Sequence, residues 1–200
     1  MIIDIDKSTG SDVYKLMSQT IIPRPIAWVV TEHNGVINVA PFSYFIGLSS
    51  KPASVLISVG HKSDGTPKDT LANIREHQKC TICMVDEKSL EKMHFSSKSL
   101  DKDLSEAELF NIETEPFYEG YPPMIKGVSA AYCCDLNQEI DLGDGSSSTI
   151  PLILNVQQIY VDDAVITDKE QMRIDFDPVA RIGRSYAFLG TKIPAPKIPE

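Results

Sequence analysis

The sequence predicts a mainly β protein, a closed β-barrel with short helices and mixed α+β excursions between its strands. Three observations predict it. Apolar runs are short, rich in Val and Ile, and bounded by Asn, Gly, Pro and Asp. Six or seven such runs occur against only a few helical stretches. The first four follow one another directly, without the alternation of strand and helix that marks a doubly wound sheet.

Asp12 to Met17 is a short helical candidate, followed by an Ile-Ile-Pro approach. Ile26–Thr31 reads as a buried strand, with Trp28, the only tryptophan, in its packed wall. His33-Asn34-Gly35 supplies hairpin chemistry, because Asn and Gly tolerate positive φ, and Val36–Ala40 returns antiparallel. Phe45–Leu48 and Ser54–Val59 flank Lys51-Pro52, giving a β-meander. After a polar loop from Gly60, Thr66 is placed to cap a helix with Pro67 in its first position; Leu71 and Ile74 give its inward face. Cys80–Val85 is a strand, Ser89–His94 and Ser105–Phe110 are short helices, and the second opens with a Ser-Glu-Ala-Glu capping box. Glu113–Pro123 is a loop or excursion. Val128–Leu136 and Ile150–Val161 are late strands joined by a turn over Gly143–Ser148.

These elements form one domain over residues 1–200, with a core from about residue 20 to about 190 and a Pro-punctuated tail over 191–200. Hydrophobic content of 42% and charged content of 24% exclude a disordered chain. A net charge of −9 repels phosphate backbones, so nucleic acid is not an expected partner. Residues 50–79 are nevertheless locally basic, with Lys51, Lys62, Lys68, Arg75 and Lys79 against Asp64, Asp69 and Glu76. That contrast suits a small anionic ligand. No apolar run approaches the ~20 residues that span a bilayer, and Met1–Asp6 lacks a secretory pattern, so a cytoplasmic location with no membrane partner is expected.

Three motifs recur in order: Pro23-Arg-Pro-Ile-Ala-Trp-Val-Val-Thr31, Asn38-Val-Ala-Pro-Phe-Ser-Tyr-Phe45, and Ser58-Val-Gly followed by Lys68-Asp-Thr-Leu-Ala-Asn-Ile74. Together they resemble the flavin reductase-like family of FMN-binding split barrels, which includes reductase components of two-component monooxygenases and flavoredoxin-type proteins. The resemblance implies FMN, more than FAD, as cofactor, with NADH or NADPH as co-substrate. It also implies a homodimer and an electron-acceptor protein as partners. The implied function is an NAD(P)H-dependent flavin reductase; an FMN electron carrier of flavoredoxin type and a non-catalytic flavin-binding module are the alternatives. No catalytic side chain is implied, because the hydride chemistry belongs to the flavin.

The cofactor-binding positions that the resemblance implies are Arg24, Pro25, Ala27 and Thr31; Asn38, Ala40, Pro41, Phe42 and Ser43; and Ser58, Lys68, Asp69 and Thr70. Physical chemistry supports several of them. A dianionic phosphate suits the start of the helix after Pro67, with the charge of Lys68, the hydroxyl of Thr70 and the fork of Arg24. The amide of Asn38 offers donor and acceptor to a ring edge, and Pro41 interrupts the strand ladder. Lys68 and Asp69 would equally form a solvated first turn. His94 is a candidate near flavin or nicotinamide or an ordinary exposed histidine, and Arg181, Arg184 and Tyr186 either close over the cofactor or pair with the acidic surface. Related short reductases carry a histidine after a Gly-Arg-Tyr run; here the matching stretch is Gly183-Arg-Ser-Tyr-Ala187. Cys80 and Cys83 should face opposite sides of their strand, so no metal site is expected from them.

Overall fold

Positive φ at Asn34 and Gly35 (51° and 80°) closes the first hairpin in two residues, and this turn sets the register of everything around it. In a computed structural model describing residues 1–143 and 149–198, the chain runs α1 (Gly10–Thr20), β1 (Ala27–His33), β2 (Val36–Phe42), β3 (Phe45–Ser50), β4 (Ala53–Gly60), α2 (Asp69–His77) and β5 (Lys79–Met84). It continues through α3 (Leu90–Phe95), α4 (Glu106–Leu109), β6 (Thr114–Glu115), β7 (Met124–Ile125), β8 (Ala130–Glu139) and β9 (Thr149–Val161). Three short pieces and a last hairpin strand follow: β10 (Ile166–Asp168), β11 (Arg173–Ile174), β12 (Val179–Ile182) and β13 (Ser185–Phe188). The turn expected over Gly143–Ser148 lies, from residue 144 on, outside the described residues.

Seven strands form one antiparallel sheet in the order β2-β1-β5-β8-β9-β4-β3. This corrects the expected meander. The first two hairpins stand at opposite ends of the sheet, with β5, β8 and β9 between them. Only Ser43 and Tyr44 separate β2 from β3. A flat sheet would hold its edge strands about 29 Å apart, from six steps of ~4.8 Å. Three Cα steps from Phe42 to Phe45 reach at most about 11 Å. The sheet therefore rolls into a barrel, and β2 comes against β4.

Strand alternation then divides the core in two. Ala27, Val29, Phe42, Ile57, Ile82 and Leu154 fill the barrel interior, and Leu71 and Ile74 of α2 plug it. Trp28, Val30, Val39, Cys83 and Val85 face outward under α3, α4 and the β6–β7 excursion. Trp28 donates to the Ser96 hydroxyl at 2.9 Å. Cys80 lies inside and Cys83 outside, as alternation requires.

The barrel is split along β2. Its outward backbone groups are taken by the start of α4, where the Ser105 hydroxyl donates to the Ile37 carbonyl (2.6 Å) and the Val39 N–H donates to the Glu106 carboxylate (3.0 Å). A covered edge has no ladder left to offer β3. The other edge, β3, is exposed along most of its length, with Ile46 60% and Leu48 49% accessible.

Candidate functional site

The bend between β2 and β3, residues 42–44, is flanked by two cations. On one side the Lys68 ammonium lies 5.8 Å from the Phe42 ring centroid; on the other the Arg24 guanidinium lies 5.5 Å from that of Tyr44. The Ser58 N–H donates to the Tyr44 carbonyl at 2.9 Å, which ties β4 to the bend. Ala40, Pro41, Ser43 and Ser58 are partly exposed here, and Pro25 is exposed on the approach.

Neither cation is neutralised by the chain. Lys68 has no carboxylate partner among the described residues, and desolvation lowers its amine below the ordinary lysine value. The neighbouring charges pair with each other instead, Lys62 with Asp69 at 2.9 Å. Arg24 is 4% exposed; its Nη2 donates to the Gly183 carbonyl at 3.5 Å, while Nε and Nη1 are buried and find no acceptor among the described residues. Unmatched buried donors are costly, and charged ones more so. In a chain of net charge −9, this arrangement fits an external anion.

The polar end of the barrel interior gathers several of the expected site residues. Asn38 donates to Thr70 (2.9 Å) and Thr31 (3.3 Å), and Asn73 donates to Thr31 (3.0 Å). Asn38 therefore spends its amide hydrogens inside the fold and has none for a ring edge. Thr31 and Thr70 are buried acceptors in the same network, and Ala27 and Phe42 point into the interior. Thr66 is not the helix cap. Its N–H and hydroxyl both go to Asp64 (2.9 and 2.6 Å), Pro67 bridges to His61, and α2 starts two residues later behind Lys68. A side-chain acceptor two residues upstream competes with capping and wins.

The C-terminal hairpin β12–β13 completes the Arg24 side. Arg24 and Arg181 exchange backbone hydrogen bonds of 3.1 and 2.9 Å. The Arg181 guanidinium sits 4.7 Å from the Tyr186 centroid, and His94 Nδ1 is 2.9 Å from the Tyr186 hydroxyl. Arg181 and Arg184 have no acidic partner among the described residues, which sets aside their expected pairing with the surface. Between this hairpin and α1 runs an open groove of about 1100 Å³, lined by Tyr14, Ser18, Arg181 and Arg184. Gly183 (φ 52°) lets the two approach: a Cβ there would meet Gln19 Cγ at 3.2 Å. This groove is not legible in the sequence because α1 carries no motif; its cap, Thr9, is the available signal.

Comparison with known proteins places these motifs. The chain matches the flavin reductase like domain over residues 17–177. It is 33% identical over 196 residues to the Bacillus subtilis (strain 168) protein YwrF, covering 94% of this chain and 95% of that one. It is similar in structure to nitrilotriacetate monooxygenase component B from Bacillus cereus, with TM-score 0.90, 30% identity and 98% of each chain covered. It is also similar to the 2-nitrobenzoate 2-nitroreductase NbaA of Pseudomonas fluorescens, with TM-score 0.87, 28% identity, and 100% of this chain and 96% of that one covered.

Proposed function

Because this chain belongs to the flavin reductase-like family, we propose that it is an FMN-binding oxidoreductase that passes hydride from NADH or NADPH to flavin. The observation that carries the reading is the pair of unneutralised cations, Arg24 and Lys68, on either side of the Phe42–Tyr44 bend. Bound FMN supplies the chemistry, accepting hydride at its ring and releasing electrons onward. The protein's part is to bind and orient. Lys68, with the free N–H groups at the start of α2, holds the phosphate. Pro41, Ser43 and Ser58 border the ring, with Arg24 available to anionic charge there. The Asn38–Thr31–Thr70–Asn73 network holds β2 and α2 in register and so fixes the distance between bend and helix.

Tyr186 and His94 favour the reductase over a flavoredoxin-type carrier. Gly183–Ala187 carries no histidine, but Tyr186 of that stretch meets His94 at 2.9 Å, which offers an imidazole beside the C-terminal hairpin for the nicotinamide. The electron acceptor is an oxygenase component, as for a monooxygenase component B, or a nitroaromatic small molecule, as the likeness to NbaA suggests. A second copy of the chain packs on exposed β3 and completes the flavin site. Fluorescence titration with FMN tests the reading: one FMN per chain is expected, and Lys68→Ala should weaken it by about 1.5–3 kcal/mol, roughly ten- to a hundredfold. Failure to take up FMN would refute it.

A further inference from the structure

At the far end of the β1–β2 hairpin from the bend, the tip meets the last turn of α2. His33 Nδ1 stands 3.1 Å from His77 Nε2 and 3.3 Å from a Glu76 carboxylate oxygen, and all three atoms lie within 4.8 Å of one another. Two imidazole nitrogens and one carboxylate oxygen are thus gathered at one point of the surface. From these three side chains we infer a binding site for a divalent transition-metal ion of the zinc class, at the seam between hairpin and helix.

The spacing supports this. Around a tetrahedral zinc with ligands at about 2.0–2.1 Å, neighbouring donor atoms are about 3.3–3.4 Å apart. Two edges, 3.1 and 3.3 Å, are close to that, and the third, between His77 and Glu76, is within 4.8 Å. Two imidazoles and one carboxylate select zinc, nickel or copper over calcium and magnesium, which need oxygen ligands. The outer contacts agree. His33 Nε2 is 2.9 Å from the Asn34 side-chain amide, and with that amide turned over its oxygen accepts the Nε2 proton that a metal-bound His33 carries. The carbonyl end of α2 adds a favourable dipole, with the chain turning away at Gln78 (φ 61°). Glu76 and His77 are exposed, so a fourth position stays open to water or a small ligand.

The site would clamp the hairpin tip to α2 without touching the flavin-binding bend, so it stands or falls separately from the flavin reading. Calorimetric titration of tag-free, full-length protein with zinc chloride tests it. The expected result is one zinc per chain and an unfolding midpoint that rises with zinc. His77→Ala and His33→Ala should each weaken binding at least about tenfold and suppress the rise, and Glu76→Gln should weaken it also. His61→Ala should change neither. No saturable zinc binding, or binding undiminished in both His33→Ala and His77→Ala, would overturn the inference.

Discussion

Arg24, proposed to meet the flavin, illustrates how a residue kept for binding would work against the fold that carries it. Two of its donors are buried without acceptors among the described residues, and its side-chain bond to Gly183 is long at 3.5 Å. Replacing an unmatched buried cation with a packed apolar chain of similar length is often neutral or stabilising. Arg24→Met should therefore leave the flavin-free protein within about 1 kcal/mol of wild type, or above it, in urea unfolding. The same substitution should weaken FMN by about tenfold or more, as expected for loss of a charge-assisted contact. Loss of stability with undiminished FMN affinity would make Arg24 a structural residue. At this scale the sequence was a partial guide. It picked out Arg24 and Lys68, whose chemistry is visible in residue type. It did not reveal the internal partners of Asn38, because Thr31 and Thr70 are distant in sequence and meet it only through the β1–β2 pairing and the seat of α2. His94 and Tyr186 were separate candidates; only the fold brings them together across 92 positions.

At the scale of elements, α4 decides where the barrel opens. Glu106 is 4% exposed and holds the Val39 N–H. Burial, with the negative charge of Asp69 adding to it, raises its carboxyl pKa above the ordinary 4.5. The unfolded chain releases this proton at lower pH than the folded one. The stability tied to the protonated form is thus present below the ordinary value and lost as pH rises through the raised one. Glu106→Gln keeps an acceptor for Val39 without the charge. Its urea midpoint should equal or exceed that of wild type near about pH 7, with the advantage shrinking toward about pH 4. A variant weaker at neutral pH and equal in acid would contradict this reading of the edge. Hairpins were legible because Asn34-Gly35 enforces a local geometry. Strand neighbours were not: nothing local to β2 and β3 reveals that β5, β8 and β9 will pair between their hairpins. The start of α2 was misplaced because Asp64 takes Thr66.

For the whole molecule, the rolled sheet leaves one edge covered and one open. The open edge, β3, carries Ile46 and Leu48 into solvent next to the bend. A long exposed apolar edge is a ready pairing surface, which agrees with the proposed second copy. Light scattering should give a dimer for the wild type and a monomer for Ile46→Lys combined with Leu48→Lys, with FMN lost along with the dimer. A double variant that stays dimeric would place the interface elsewhere. The barrel class was legible from short strands and turn residues, whereas its closure follows from the two-residue link between Phe42 and Phe45. The proposed hydride-accepting flavin site draws on all three scales: unmatched cations, a bend held by a polar network, and a split barrel. Anaerobic titration of the FMN-loaded protein with NADH and with NADPH, followed by visible absorbance, tests it most directly. One of the two nucleotides is expected to bleach the oxidised flavin, and air to restore the colour. Flavin bleached by dithionite yet untouched by either nucleotide would contradict it.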